Sequence, residues 1–577
     1  MNMKNVLMFM LVSSLIAVCG DGVLAQEIIN VYPTDDGPTQ RSKVEGAVAG
    51  NIVLFHPGVY NAAIFRITNS GNAEDGYIEF KAYDPNDKPV FDMSIWEFFD
   101  TDNDTYFPAS TWGIGEWTGG DWGAGNGSAS RTGGESWDRG VFVVWRAGYI
   151  NFEDLDFSNI HAVSQMGAGI TVNAEGGPIN IRRIKVTNSD VGMGQRQAYN
   201  DGTDIVTISN SEFGENGRYP NRNPPGQHNF YMSGGTLILE YCHIHDALEG
   251  QNLHMRNNNL TVRYCWIENP YSYMADMSDI REETIQPEEQ VHTYIGNIFV
   301  DGKLAESPYT NNNIFVIQEG QPDCVSQRLN LYYNTFIGKS DYDSDQYNLI
   351  TFSGWGGHEA YLPALYMYNN IFYNVYGQKL MRFRYTGEYR TMDIQNNWIH
   401  GTNSDYSDFS TYMSNNIFGT DPGFVGGGDC HLTSDSDCRD QANHTLGEFP
   451  GYEYLHNMEY RIRESITDLG AYEYYNNTNI KTSALETGFV CQPTPNPFAK
   501  STSISYSISE PCSVQIKIYN DIGQVVRILL DEDKPPGKHI AVWDGTDEQG
   551  NKLSNGIYFY KMQGGNKVFS SKIIYAQ

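Results

Sequence analysis

The chain has 577 residues, of which 40% are hydrophobic and 19% charged, and its formal net charge is -32. This length exceeds what one compact core can use, so it predicts several domains or an elongated repeat. Abundant Gly and Tyr with few charged residues are typical of an all-β chain with many turns. The acidic balance argues against nucleic acid as a partner, because a binder needs a basic face, but it leaves room for a cationic groove that binds an acidic polysaccharide.

The first 25 residues are predicted to be a secretory signal peptide. Lys4 precedes an apolar run over residues 6–18, and residues 23–25 (Val-Leu-Ala) offer a small-residue cleavage site. Cys19 leaves a lipoprotein open as an alternative. No later run is long enough to cross a bilayer. We therefore expect an exported chain, either secreted or held at the outer cell surface, with no membrane span.

A Gly- and Ser-rich stretch from Ser110 to Gly140 has no strand periodicity and carries four of the ten tryptophans. Loops of this length are usually functional or mobile. Trp117 and Trp122 could stack on sugar rings and so bind substrate. Alternatively, the loop folds back over the end of the core.

A repeat runs from Tyr149 to Phe418. At ten sites an apolar residue is followed five places later by another, as in Val262/Ile267 and Leu331/Phe336, and the spacing between sites varies from 19 to 37 residues. A constant core with loops of different length is what stacked coils of a solenoid require. The pattern therefore predicts successive coils rather than separate domains.

The same slot of each repeat, three places after its first apolar residue, holds a recurring polar residue. Its later occupants are Asn297, Asn334, Asn370, Asn397 and Asn416, and Cys242 and Cys265 precede them. Asn at one turn position can pass its amide hydrogen bond from coil to coil, and the two cysteines are predicted to be an inward thiol stack. We therefore predict an all-β protein whose residues 26–475 form a right-handed parallel β-helix.

Residues 476–498 are predicted to be a linker and residues 499–577, which alternate polar and apolar, a small immunoglobulin-like β-sandwich. Cys430 and Cys438, eight apart in a polar loop, are predicted to form a disulfide, as exported chains often do. The sequence gives no pairing for the three remaining mature cysteines, Cys324, Cys491 and Cys512.

Two resemblances cover the two ends of the chain. Gly50-Asn-Ile-Val-Leu-Phe-His-Pro-Gly-Val-Tyr60 resembles the opening of secreted right-handed parallel β-helices. Pro495-Asn-Pro-Phe498, Trp543-Asp-Gly-Thr546 and Gly556-Ile-Tyr-Phe-Tyr560 resemble the C-terminal sorting domain of type IX secretion. The second resemblance implies that the type IX secretion machinery is a partner and that the chain crosses an outer membrane.

A third resemblance concerns the centre of the repeat. Gly226-Gln-His-Asn-Phe-Tyr231, followed by His245-Asp-Ala247 and Gly250-Gln-Asn-Leu-His-Met-Arg256, is similar to a motif of secreted β-helix proteins that include polysaccharide lyases. In that group a His stands where this chain has Gln251, and a Lys where it has His254. The resemblance implies a secreted lyase that acts on an acidic polysaccharide.

Three segments of this region align with one another: Phe230-Tyr-Met-Ser233, Leu253-His-Met-Arg256 and Ser272-Tyr-Met-Ala275. Because alternate side chains of a strand face opposite ways, the alignment predicts an outward row of Tyr231, His254 and Tyr273 with Arg256 beside it. The alternative is a stack of rings that stabilises the solenoid without chemistry.

The residue types of this row suit β-elimination beside a uronic acid. That reaction needs a group that neutralises the carboxylate, a base for the neighbouring carbon-bound proton, and an acid for the leaving oxygen. Arg256 could grip the carboxylate, His254 could be the base, and Tyr231 or Tyr273 could move the second proton. His228 is a further catalytic candidate. Predicted substrate-binding residues around them are His245, Arg263, Arg382 and Arg384.

Asp276 and Asp279 could bind Ca²⁺ together with Glu282 and Glu283, or they could be a solvated acidic loop; no other cofactor is predicted. We expect a monomer. Two other functions stay open. A glycoside hydrolase would need two carboxylates about 5 to 10 Å apart, and a non-enzymatic glycan-binding adhesin is favoured if the outward row proves buried.

Overall fold

The computed structural model describes residues between Glu27 and Tyr575. Its longer gaps are 94–139, 161–166, 196–204, 218–227, 279–288, 302–312, 320–325, 339–347, 355–363, 384–390 and 475–492, and breaks of one to four residues occur elsewhere. The chain divides into two compact units, Met1–Arg461 with Ser465–Glu473, and Ile462–Glu464 with Tyr474–Gln577.

Three long sheets of parallel strands form the first unit, and each coil contributes one strand to each sheet in turn. The described strands of sheet 1 are Phe65–Ile67, Gly140–Ala147, Ala168–Ala174, Val191–Gln195, Phe230–Ser233, Leu253–Arg256, Ala275–Ser278, Asn313–Glu319, Asn348–Gly354 and Lys379–Phe383.

Sheets 2 and 3 complete the coils. The described strands of sheet 2 are Ile28–Val31, Ile52–Phe55, Ile78–Ala82, Ile150–Glu153, Ile179–Arg182, Ile205–Ser209, Thr236–Glu240, Asn259–Arg263, Glu289–Ile295, Ser326–Tyr332, Ala364–Tyr368, Thr391–Gln395 and Met413–Ser414. Those of sheet 3 are Gly58–Tyr60, Pro89–Asp92, Asp156–Ser158, Lys185–Thr187, Glu212–Gly214, His243–His245, Trp266–Glu268, Ile298–Val300, Thr335–Ile337, Ile371–Tyr373, Trp398–His400 and Ile417–Gly419. The predicted right-handed parallel β-helix is confirmed.

The core consists of apolar side chains that repeat once per coil. In sheet 3, Phe299, Phe336 and Phe372 stack with ring centroids 4.7 and 5.0 Å apart. In sheet 1, Met232 pairs with Met255 and Met255 with Met277, all of them buried. Each coil therefore buries its inward face against its two neighbours, as solenoids do.

The turn from sheet 2 to sheet 3 holds the predicted polar ladder. The side-chain oxygen of Asn334 accepts from the Asn297 backbone and side chain at 3.0 Å, and the ladder continues through Asn370 and Asn397 to Asn416. The residue before each slot takes a positive φ, 54° at Tyr333 for example. The ladder satisfies the polar groups of this bend, so the turn repeats in register.

The two cysteines in the same slot extend this ladder at its N-terminal side. The backbone N–H of Cys242 donates to Cys265 Sγ at 3.4 Å, the N–H of Cys265 donates to Asn297 Oδ1 at 2.9 Å, and both thiols are fully buried. The predicted inward thiol stack is confirmed.

The predicted disulfide between Cys430 and Cys438 is wrong, because both are free thiols. Cys430 packs in a small apolar cluster with Tyr454 and Tyr472, and burial raises its pKa to about 12. Cys438 is also fully buried. These sulfur atoms serve packing rather than cross-linking. Cys512 is free as well, whereas Cys19, Cys324 and Cys491 lie outside the described residues.

Short elements flank the solenoid. An α-helix over Gly37–Glu45 begins after Asp36, whose Oδ1 accepts from the Thr39 N–H at 2.8 Å, and its Val44 joins the core. After the last coil come a 3₁₀ segment and two strand pairs: Asn403–Tyr412, Phe424–Gly426 with Asp429–Leu432, and Tyr452–Leu455 with Glu459–Ile462. This segment returns along the turn between sheets 2 and 3, where the Gly451 N–H donates to Tyr264 Oη at 2.9 Å.

The second unit is the predicted β-sandwich, with its own core around Trp543 and Tyr560. Its described strands are Pro493–Thr494, Thr502–Ile508 and Gly537–Trp543 in one sheet and Val525–Lys534, Cys512–Tyr519, Gly556–Gly564 and Lys567–Tyr575 in the other. Pro493–Thr494 pairs with Thr502–Ile508, so residues assigned to the linker from the sequence form an edge strand of the sandwich.

Candidate functional site

The candidate site lies on the outer face of sheet 1, where three successive strands are in register. Tyr231 pairs with His254, and His254 pairs with Asp276. Their neighbours in sequence, such as Met255 and Met277, point into the core. Alternation along the strands therefore turns Tyr231, His254 and Asp276 outward as one row.

This register corrects the predicted row at its third position, which is Asp276 rather than Tyr273. The strand begins at Ala275, three residues later than expected, and it buries Ala275 and Met277. Because three is odd, the shift exchanges the inward and outward faces. Tyr273 precedes the strand, and its carbonyl oxygen accepts from the Asn252 N–H at 3.3 Å. In the stack of coils, Tyr273 therefore lies next to Gln251 of the preceding coil.

His254 is held by Asp276 through one ring nitrogen. Its Nδ1 lies 3.1 Å from Asp276 Oδ2, and Asp276 Oδ1 accepts from the Ser278 hydroxyl at 3.1 Å. Since a carboxylate only accepts, Nδ1 carries the proton and the lone pair of neutral His254 is on Nε2. His254 is 8% exposed, and its Nε2 has no hydrogen-bond partner in the described part of the chain.

His228 lies face to face with His254. The ring centroids are 4.7 Å apart at an angle of 11°, and His228 Nδ1 accepts from the Gln251 N–H at 3.0 Å. Burial lowers the pKa of His228 well below its usual value, and electrostatic interaction with the neighbouring His254 and Arg256 lowers it further. His228, which precedes the strand, is thus in direct contact with the row.

Arg256 lies at the edge of the row, with its guanidinium 5.7 Å from the centre of the Tyr231 ring. It is partly exposed and forms no ion pair with any residue that the structure describes. Between Gln251 and Arg256, three buried polar atoms lack a described partner: Gln251 Oε1, His254 Nε2 and Arg256 Nε. Unsatisfied buried polar atoms each cost about 1–3 kcal/mol, so this group is a candidate place for an ordered water or a polar ligand.

A second asparagine ladder, which the sequence analysis missed, supports this face. Asn216 Nδ2 donates to Asn229 Oδ1 at 2.9 Å, and Asn229 Nδ2 donates to Asn252 Oδ1 at 2.8 Å. All three are fully buried, and Asn229 directly follows His228. Asn229 and Asn252 are 23 residues apart, as are Tyr231 and His254. This shared spacing is the sequence signal from which the ladder could have been predicted.

Comparison with known proteins gives two kinds of likeness. A family model described as FlgD Ig-like domain matches residues 497–567. Among solved structures, the chain is similar to pectate lyase Pel9A, with a TM-score of 0.37, 14% identity, and coverage of 79% of this chain and 98% of that one. It is also similar to the PL6 family polysaccharide lyase Pedsa3628 from Pseudopedobacter saltans, with a TM-score of 0.35, 11% identity, and coverage of 73% and 100%. Both likenesses are distant. No curated protein matches.

Two of the predicted substrate-binding residues lie on other sheets. His245 is on sheet 3, where its Nδ1 lies 2.7 Å from Asp246 Oδ2. Arg263 is on sheet 2, and its Nε donates to Glu240 Oε1 at 2.6 Å. Both side chains are engaged by carboxylates, so neither flanks His254 as expected.

In backbone register, Arg382 aligns with Asp276. The register runs from Asp276 through Val316 and Thr351 to Arg382, four strands from His254. At a strand spacing of about 4.8 Å, this is roughly 19 Å along the sheet. Its role as a substrate ligand stays a prediction. Arg384, Trp117 and Trp122 lie outside the described residues.

The predicted Ca²⁺ site cannot be assembled from the described residues, since Asp279, Glu282 and Glu283 lie outside them. Both oxygens of Asp276 already contact His254 and Ser278. Within the described ranges no group of three or more His, Cys, Asp or Glu side chains could hold a metal ion. No helix in those ranges has the length and apolarity to span a membrane.

Proposed function

We propose that the protein is a secreted polysaccharide lyase that cleaves a uronate-containing polysaccharide by β-elimination on the outer face of sheet 1. The observation that carries this proposal is His254. Its Nδ1 is bound by a buried carboxylate, its Nε2 has no described partner, and it lies two residues before Arg256, a cation without a described ion pair. A base and a carboxylate-binding cation are therefore adjacent.

Each residue has one role in the proposed step. Arg256 binds the uronate carboxylate and favours the charge that spreads onto it. His254 Nε2 takes the proton from C5 as the C5–H bond breaks. The electron pair forms the C4–C5 double bond and expels the glycosidic oxygen from C4. The Tyr231 hydroxyl protonates that oxygen, and proton exchange with solvent restores both side chains. Asp276 stabilises the imidazolium that forms.

The alternatives fit these residues less well. A hydrolase needs two carboxylates that face the substrate, whereas the carboxylate that contacts His254 in the described part of the site, Asp276, is 1% exposed and bound to Ser278. A pure binding surface would be favoured by a fully covered row, but Tyr231 and Arg256 are partly exposed. Export, and sorting by the C-terminal sandwich, belong to this proposal.

The proposal is tested by incubating the full chain with polygalacturonate, alginate, hyaluronan and chondroitin sulfate. Ultraviolet absorbance detects unsaturated ends, and a separate assay detects reducing ends. We expect both signals with at least one polymer. We also expect His254→Ala to lower kcat roughly 10³-fold, within the usual range for a general base.

His243→Ala, on sheet 3, is the matched control and should retain activity. Reducing ends without absorbance would identify a hydrolase. The absence of both signals on every polymer would overturn the proposed activity and favour a binding protein.

A further inference from the structure

The two stacked histidines of the site have opposite hydrogen-bonding roles at Nε2. His254 has its proton fixed on Nδ1 by Asp276. His228 has its lone pair fixed on Nδ1, because that nitrogen accepts the Gln251 N–H at 3.0 Å. A neutral imidazole carries one proton, so the proton of His228 must be on Nε2. One ring therefore offers an acceptor at Nε2 and the other a donor.

We propose that His228 is a permanently neutral hydrogen-bond donor, whose Nε2–H binds the oxygen on which negative charge develops when His254 removes the proton. This inference rests on the proposed function and adds a second catalytic group to it. The ligand oxygen is one of the two uronate carboxylate oxygens that Arg256 also binds.

A neutral donor suits this task for a physical reason. Removal of the C5 proton turns the carboxylate into an enediolate with additional charge on its oxygens. A preorganised N–H that already points to that oxygen stabilises the transition state more than the ground state. A second imidazolium beside Arg256 and protonated His254 would instead raise the cost of protonating His254.

The surroundings of His228 keep it in this state. The titratable groups that face it are His254, Tyr231 at 5.6 Å between ring centroids, and Arg256. Burial and the positive charges among them hold its pKa well below the usual value. The backbone donor at Gln251 is fixed by its neighbour Asn252, which belongs to the second ladder. His228 thus cannot act as the base, which separates its role from that of His254.

The tautomer can be measured without substrate. In the full chain labelled with ¹⁵N-histidine, two-bond nitrogen–proton spectra distinguish the Nδ1–H, Nε2–H and doubly protonated forms, and His228→Asn assigns the signal. We expect His228 to remain neutral with the proton on Nε2 from about pH 5 to 8, across the normal range of histidine titration. A proton on Nδ1, or titration within that range, overturns the inference.

The role is tested by two variants that separate the two nitrogens. His228→Asn keeps an acceptor near the position of Nδ1 but has no donor at Nε2, whereas His228→Gln places an amide N–H near Nε2. We expect His228→Asn to lower kcat about 10²-fold with little change in KM, as loss of an oxyanion donor does. His228→Gln should recover most of this loss. His243→Asn on sheet 3 is the control, and thermal melts check that every variant folds.

The outcomes separate this inference from the proposed function. An active wild type with an equally active His228→Asn overturns the donor role and leaves the lyase intact. Equal losses in His228→Asn and His228→Gln also overturn it, because the effect then follows the ring rather than the donor. If the wild type forms no unsaturated products, the proposed lyase activity is overturned. The donor role of His228, which depends on that activity, is then overturned as well.

Discussion

Two pairs of histidines stack in the described part of the protein, and they differ in what surrounds the rings. His228 and His254 on sheet 1 have centroids 4.7 Å apart, and His243 and His245 on sheet 3 have centroids 4.3 Å apart. In the sheet 3 pair, His243 Nε2 lies 2.9 Å from Glu268, and the two nitrogens of His245 lie 2.7 Å from Asp246 and 3.5 Å from Glu212. Carboxylates thus surround one pair, whereas in the described part of the chain the other pair contacts a single carboxylate, Asp276.

The difference shows that environment, not residue type, decides whether a histidine is available for chemistry. Burial lowers the pKa of His228, whereas the carboxylates around His245 outweigh burial and raise its pKa to about 9. His245 is therefore a cation in a network of ion pairs, which is a structural role. The sheet 1 pair keeps a neutral ring at His228 and, at His254, an Nε2 without a partner among the described residues, and proton transfer requires such a free nitrogen.

Of the changes that distinguish the two histidine pairs, removal of the Asp276 charge is expected to have the largest effect on the reaction rate. Asp276→Asn keeps the shape of the side chain, but its amide can donate to His254 Nδ1 and so favour the tautomer with the proton on Nε2. We expect kcat to fall at least about 10²-fold, with KM and the melting temperature nearly unchanged. Initial rates of double-bond formation measure this effect.

Glu268→Gln makes the same chemical change at His243 and should leave the rate unchanged. Equal rates for Asp276→Asn and the wild type would show that Asp276 does not orient His254 as the base. The difference between the two histidine pairs would then have no role in catalysis.

A smaller effect is expected from changing the cation of the site without removing its charge. Arg256→Lys retains the positive charge but loses the planar fork that can bind a carboxylate through two parallel bonds. We expect kcat/KM to fall about tenfold, mostly through KM, because one charge-assisted hydrogen bond contributes about 1.5–3 kcal/mol.

The matched control for this substitution is Arg328→Lys on sheet 2. Arg328 pairs with Glu289 at 2.8 Å, so its loss should change neither constant. A KM for Arg256→Lys that equals the wild-type value would place the substrate carboxylate elsewhere.

The solenoid could be predicted because its physics repeats in the sequence. Each coil must bury an apolar residue at the same place and satisfy the same bend, so Val262 and Ile267 recur in type and Asn297 recurs as Asn334 and Asn370. The disulfide prediction failed because no repeated pattern in the sequence supports it. Cysteine spacing says nothing about whether two thiols face each other, and burial alone accounts for Cys430.

The site could be predicted only in part. Tyr231, His254 and Arg256 were placed correctly because equal spacing preserves their register. Asp276 was missed as a member of the row because the alignment followed the similar pair Tyr273-Met274, and its nearby carboxylates suggested a Ca²⁺ site or an acidic loop instead. The contacts of His228 depend on a turn that brings it over His254, and no strand periodicity encodes that position.

The smallest expected effect is on stability, and it has opposite signs for the two pairs. Unfolded histidine has a pKa of about 6.5. Because His245 has a raised pKa of about 9, its protonation stabilises the fold fully below about pH 6.5, and this contribution is lost as pH rises to about 9. His228 has a lowered pKa, so the unfolded chain binds the extra proton, and its burial costs stability as pH falls below about 6.5.

Unfolding midpoints in denaturant, measured across this pH range, separate the two contributions. Relative to His245→Gln, the wild type should lose about 1 kcal/mol or less between pH 6.5 and 9, since ion pairs near the surface contribute little. Relative to His228→Gln, it should lose stability only on the acid side of pH 6.5. If both stability differences, wild type minus His245→Gln and wild type minus His228→Gln, changed with pH in the same way, the two histidines would have the same charge state. The distinction between a structural and a chemical histidine pair would then be wrong.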